Sequence, residues 1–117
     1  GMDDAMVEAS DQPVREATIR VDNVMAPADS WIVVHLADAE GMPGRRVGLK
    51  WVPAGMTMDA VVQLDAAVPL TETLLVALHA DRGERQVFEF DMADGVNSPD
   101  QPYFSDGMEV AAPVQLR

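Results

Sequence analysis

Apolar and polar residues begin to alternate at Ala17, after a stretch with no regular pattern. Ala17, Ile19 and Val21 each stand between polar neighbours, and a period of two residues is typical of a strand with one buried face. The alternation predicts a strand that ends near Met25. Residues 1–16 cannot bury enough apolar surface to offset the entropy of ordering, so we predict a disordered leader there.

Two segments, Trp31–Leu36 and Leu74–His79, are apolar at nearly every position. A strand has this composition when one face lies in the core and the other is covered by a loop, a neighbouring strand or a partner. The shorter patterns at residues 46–52, 58–64, 86–90 and 108–115 predict four more strands.

Seven short strands separated by turn residues, with no amphipathic helical pattern, are typical of two packed antiparallel sheets. We therefore predict an all-β fold for residues 17–117, a seven-stranded immunoglobulin-like antiparallel β-sandwich. Within it, Gly83 is predicted to take a left-handed conformation in a hairpin loop over residues 81–85.

The charge balance restricts the classes of partner. The chain has 20 acidic and 8 basic residues, a net charge of −12, and such a surface repels nucleic acid. It has no cysteine, which excludes disulfides and thiolate metal sites. No apolar run is long enough to predict a transmembrane segment, and residues 1–16 lack the apolar region of a signal peptide, so we expect any export signal to lie upstream.

Seven short motifs carry a resemblance to a known family. They are Asp11-Gln-Pro-Val, Val21-Asp-Asn-Val, Trp31-Ile-Val-Val-His, Pro43-Gly-Arg-Arg-Val-Gly, Ala54-Gly, Ala77-Leu-His-Ala-Asp-Arg-Gly and Phe88-Glu-Phe. In this order they resemble, over residues 11 to about 90, an uncharacterised domain of exported and surface proteins of haloarchaea and bacteria. The resemblance implies an immunoglobulin-like sandwich outside the cytoplasm with no established activity. It also implies that Asp100-Gln-Pro-Tyr matches the family's C-terminal aspartate and proline after an insertion.

The two histidines are the first candidates for chemistry, since imidazole binds metals and titrates near pH 7. If their strands are antiparallel neighbours, His35 and His79 are offset by four residues, or about 13 Å. That separation disfavours a shared metal, and hydrogen-bonded structural histidines are the favoured interpretation. His79 and Asp81 alternate onto one face and form a candidate polar pair. No nucleophile accompanies them in the sequence, so we predict no enzymatic activity.

The acidic loop over residues 91–106 offers oxygen ligands for calcium or another cation. The candidate ligands are Asp91, Asp94, Asn97, Asp100 and Asp106. Their spacing differs from that of the helix-loop-helix calcium site, and carboxylates that cap backbone amides in a turn-rich loop are the other interpretation. No resident cofactor is predicted.

Methionines and aromatic residues supply the remaining candidates. The chain has eight methionines, among them Met25, Met42, Met56, Met58, Met92 and Met108. Thioethers suit Cu(I), but without a compact cluster in the sequence, core filling and exposed turns are the favoured interpretation. A contact surface is predicted at Trp31, Leu75, Tyr103 and Phe104.

From these features we expect a non-enzymatic, extracytoplasmic structural or interaction module, either periplasmic, secreted or surface-anchored. Its partner would be another protein or a cell-surface component, or a second copy of the chain. The alternative is an exported cation-binding domain that uses the acidic loop.

Overall fold

The computed structural model describes residues 4–117, which contain nine strands, one 3-10 helix over Met92–Asn97 and no α-helix. The strands are β1 Met6–Glu8, β2 Thr18–Ala26, β3 Ser30–Ala37, β4 Pro43–Val52, β5 Gly55–Gln63, β6 Thr73–Ala80, β7 Phe104–Ser105, β8 Met108–Glu109 and β9 Ala111–Gln115. The all-β prediction is confirmed, and the count of seven strands was wrong. Within the described residues, no helix is long and apolar enough to cross a bilayer.

Two antiparallel sheets enclose the core. The first has the order β1-β2-β5 and the second β4-β3-β6-β9, while β7 and β8 form a separate hairpin. Ile19 and Val62 from the first sheet belong to the same buried cluster as Ile32, Leu78 and Val114 from the second. Burial of this alternating apolar set is the main favourable contribution to folding.

The strand predictions hold for β2 to β6 and fail at two places. Residues 86–90 form no strand, although Val87, Phe88 and Phe90 produce a strand-like pattern. The predicted strand over residues 108–115 is divided into β8 and β9.

The segment predicted as a disordered leader is part of the fold over residues 6–16. β1 pairs with β2, and Val7 and Val14 pack against the core. The amide of Gln12 donates to the carbonyl of Gln115 over 3.1 Å, which joins this segment to the C-terminal strand. Three residues of β1 are too few to produce a recognisable alternation in the sequence.

Candidate functional site

Strands β3 and β6 each have two buried faces. Ile32 and Val34 point into the core. The residues that alternate with the core residues point to the opposite side of the sheet, which we call the outer face. The outer-face residues Val33 and Ala77 are nonetheless fully buried, without belonging to the core cluster. Because the first sheet packs on the core side of β3 and β6, another part of the chain must cover the outer face.

Residues 81–100, the cover segment, lie over the outer face and bury it with two aromatic rings. The Phe88 ring contacts Trp31 and His79 edge-on, with ring centroids 5.9 and 5.4 Å apart. The Phe90 ring meets His79 at 4.7 Å. The predicted cover over the two apolar strands is thus supplied by the chain itself.

Asp100 joins the two ends of the cover segment. Its side chain is fully buried. Its carboxylate accepts hydrogen bonds from the amides of Arg82 (2.8 Å), Gly83 (3.1 Å) and Glu89 (2.8 Å). Its carbonyl accepts a bond from Nδ1 of His79 over 2.8 Å. The buried side chain thereby joins distant parts of the cover segment, and the backbone carbonyl of the same residue joins the segment to β6.

Two glycines allow the cover segment to pack closely. A Cβ at Gly95 would lie 2.9 Å from the Phe90 ring, and one at Gly83 would overlap the Glu89 carboxylate. Gly83 was predicted to be left-handed, but the left-handed residue of this segment is Gln86, with φ of 61°. The φ of Gly83 is not left-handed, and a Cβ there would also lie 2.9 Å from Cγ of Pro99, so the close packing favours glycine.

His79 lies beneath the cover segment and is 1% exposed. Its partner is a carbonyl, which only accepts, so Nδ1 carries the proton. Burial lowers the pKa of His79 most, while the Asp100 carbonyl offsets part of this effect and His35 adds to it. Nε2 has no hydrogen-bond partner among the described residues, and the carboxylate of Glu109 lies 3.8 Å away. Because the ring stays neutral near pH 7, this contact is not an ion pair.

His35 lies at the other end of the outer face, as the predicted offset requires. The register pairs His35 with Leu75 and Trp31 with His79. Nδ1 of His35 donates to the Gly44 carbonyl over 3.0 Å. Burial lowers the pKa of His35 most, the Gly44 carbonyl opposes this, and Arg46 lowers the pKa further.

The cover segment leaves a cleft open beside His35. This arginine cleft has a volume of about 420 Å³ and is lined by His35, Arg45, Arg46, Asp65, Phe88 and Phe90. The Arg46 guanidinium stacks 5.1 Å above the Phe88 ring. Within residues 4–117, neither arginine forms an ion pair, so no carboxylate neutralises the Arg46 guanidinium that lies over Phe88.

The predicted cation ligands of the acidic loop have separate structural roles. Asp91 caps the 3-10 helix by accepting from the Ala93 amide, and Asp94 accepts from the side chain of Asn97. The Asp100 carboxylate is occupied by backbone amides, and Asp106 is exposed in the turn between β7 and β8. In the part of the chain that the structure describes, no three His, Asp or Glu side chains are grouped to hold a metal ion. The predicted loop site is therefore not formed.

The predicted pair of His79 and Asp81 is also not formed. Oδ2 of Asp81 accepts from Nε1 of Trp51 over 2.9 Å and from the Gln86 amide over 2.8 Å. The Nδ1 donor of His79 is directed to Asp100 instead. Asp81 therefore holds the start of the cover segment against β4.

The four predicted contact residues lie in different environments. Trp31 is partly buried beneath Phe88, and Leu75 is partly buried on the same face. The hydroxyl of Tyr103 is 2.9 Å from Oγ of Ser30. Phe104 alone is strongly exposed, at 64%. The four residues do not form one continuous contact surface.

Two functions of single residues were not predicted from the sequence. They are the position of Arg46 in the cleft and the hydrogen bonds by which Asp100 holds the cover segment. The Arg45-Arg46 pair was visible in the sequence as adjacent positive charges in an acidic chain. Its position beside Phe88 depends on a contact between residues more than forty positions apart, which no local pattern encodes.

Comparison with known proteins places the chain in a family. No curated protein matches the sequence, and no solved structure matches the fold. The family described as DUF7282, a domain of unknown function, matches residues 5–117. That match includes β1 and the C-terminal strand, so the whole sandwich is one family domain. The chain belongs to the DUF7282 family of domains of unknown function.

Proposed function

We propose that this domain is a non-enzymatic, extracytoplasmic interaction module that binds a carboxylate-bearing segment of a protein partner in the arginine cleft. The observation that carries the proposal is the convergence of Arg45, Arg46 and the Phe88 ring on one open cleft. The chain's net charge is −12. Among the described residues Arg45 and Arg46 form no ion pair, and with Asp65 as the one acidic lining residue the cleft carries a local excess of positive charge.

The geometry of Arg46 supports recognition of a carboxylate. A guanidinium presents planar donors that match the two oxygens of a carboxylate, and such charge-assisted bonds are the strong ones. Stacking on Phe88 restricts the orientation of Arg46, which reduces the entropy lost on binding. Phe88 and Phe90 are partly buried and also line the cleft, so they offer contact to an apolar group beside the carboxylate.

A small probe tests this proposal. Titration with phenylacetate, followed by NMR, is expected to shift the signals of residues 44–46 and 88–90 toward saturation. Arg46→Gln should weaken binding about tenfold, since a hydrogen bond to a charged group contributes about 1.5–3 kcal/mol. Arg117→Gln, which removes the same charge at an exposed C-terminal position, should leave the affinity unchanged.

Phenylacetamide, the neutral counterpart of the probe, separates carboxylate recognition from simple aromatic contact. We expect it to cause much smaller shifts. Equal affinity for both probes, or equal effects of the two arginine substitutions, would contradict the proposed recognition.

The structural use of the polar groups supports the non-enzymatic part of the proposal. Both histidines donate Nδ1 to backbone carbonyls, and His79 is sealed beneath two rings. The Asp100 carboxylate is occupied by three amides. These groups stabilise the fold, and catalysis would require them to be free.

The strand order supports an immunoglobulin-like classification. The order β1-β2-β5 and β4-β3-β6-β9 matches the two sheets of an immunoglobulin sandwich in all strands but one. The exception is β4, which pairs with β3 in the second sheet, whereas the fourth strand of the constant-type domain lies at the edge of the first sheet. The resemblance to domains of exported proteins supports a place outside the cytoplasm. Fractionation of cells that express the tagged native gene tests the location, and recovery in the cytoplasm would contradict it.

A further inference from the structure

Three strands of the first sheet place methionines side by side. The register pairs Met6 of β1 with Met25 of β2, and Met25 with Met56 of β5. Met58 follows two positions along β5, beside Asn23. We call Met6, Met25 and Met56 the methionine row. Sequence separation hides this row, because its members are 19 and 31 residues apart in the chain.

All of these side chains lie on the solvent side of the sheet. Met25 stands between Val24 and Ala26, which are 0% and 2% exposed and belong to the core. On β1, Val7 packs against the core, so its neighbour Met6 points away from it. Met56 and Met58 are 51% and 66% exposed. The favoured interpretation of the methionines as core filling is wrong for this group.

We propose that the methionine row binds a soft monovalent metal ion, Cu(I) or Ag(I), with Met58 as a fourth thioether beside it. Directly opposed residues of antiparallel strands have Cβ atoms about 5 Å apart. A metal–sulfur bond near the 2.3 Å known for zinc would place neighbouring sulfurs about 4 Å apart. The flexible methionine side chain covers that difference for each opposed pair. Met6 and Met56 are two strand spacings apart, about 10 Å, so both side chains must lean toward Met25 and the ion would lie above β2.

The chemistry of the row selects the ion. Thioethers are neutral soft ligands that favour Cu(I) and bind hard cations poorly, so Zn(II) and Ca(II) should not compete. The chain has no cysteine, so no thiolate offers a stronger site. Exposure of Met56 and Met58 gives the ion access, and the net charge of −12 raises the local concentration of cations.

Titration with Ag(I), observed through the methyl signals of labelled methionines, tests the proposal. We expect one equivalent to shift the methyl groups of Met6, Met25 and Met56, with a change at Met58. The methyl groups of Met42 and Met108, which are 60% and 73% exposed elsewhere on the surface, should not move. Simultaneous shifts at all exposed methionines would overturn the proposal, because they would show binding to thioethers in general.

A matched pair of variants completes the test. Met25→Leu keeps an apolar side chain of similar volume and removes the central sulfur. It should weaken Cu(I) affinity, measured by competition with bicinchoninate, by at least about tenfold, since even the loss of a second-shell partner lowers metal affinity about 10- to 100-fold. Met108→Leu should leave affinity unchanged. A melting temperature for Met25→Leu equal to that of the parent shows that the fold persists, and unchanged affinity in this folded variant would overturn the proposal.

Discussion

Replacing Asp100 with alanine is expected to lower the free energy of unfolding by about 3 kcal/mol, because it removes a charged acceptor from three backbone amides at once. The amides of Arg82, Gly83 and Glu89 would lose their common partner. Water reaches some of them, which limits the loss. Chemical denaturation followed by tryptophan fluorescence measures the change, since Trp31 lies beneath the cover segment.

Two further variants show whether the loss arises from these bonds. Asp100→Asn keeps one carbonyl oxygen, so it should lose about half as much stability as the alanine variant. Glu40→Ala removes one negative charge from an exposed turn and should change stability by less than about 0.5 kcal/mol. Equal stability of Asp100→Ala and Glu40→Ala would show that Asp100 does not hold the cover segment.

Phe90→Ala is expected to cost about 2–4 kcal/mol of unfolding free energy, toward the lower part of the range for a buried ring because Phe90 is only partly buried. The ring packs against His79 and against the backbone at Gly95. Its loss opens a path for water to His79, so the pKa of His79 should also rise toward its ordinary value of about 6.5.

Phe104→Ala is the matched control for Phe90→Ala, since that ring is 64% exposed on the β7–β8 hairpin. It should cost less than about 1 kcal/mol. Denaturation gives the stability of both variants, and NMR titration gives the His79 pKa. If Phe90→Ala leaves the His79 pKa where it is in the parent, the ring does not seal the outer face.

The sequence was sufficient to predict the sheet strands with strong alternation. β2 to β6 follow from period-2 patterns, and the apolar composition of β3 and β6 predicted that their second face is covered. The antiparallel offset of His35 and His79 also followed, because it depends only on two neighbouring strands. The strand patterns are local in the sequence, and the histidine offset depends only on the pairing of β3 with β6.

The cover itself required contacts that local patterns do not encode. Phe88 and Phe90 alternate as strand residues do, but the Glu89 backbone between them bonds to Asp100 and not to a neighbouring strand. Both rings then pack on His79 at the outer face. Asp100 was predicted to be a cation ligand because it stands among polar residues in the sequence, and nothing in that local pattern indicates that its side chain is buried. The methionine row depends on the register of three strands, which only the folded sheet determines.

Both histidines are neutral structural donors, and the cover segment seals His79. Long-range proton–nitrogen correlation of the two imidazole rings across a pH series tests this assignment. We expect the Nδ1–H tautomer for both rings at pH 7, with His79 still neutral as the pH falls below 6.5, because burial lowers its pKa. An Nε2–H tautomer, or protonation of His79 with an ordinary midpoint near 6.5, would contradict the account.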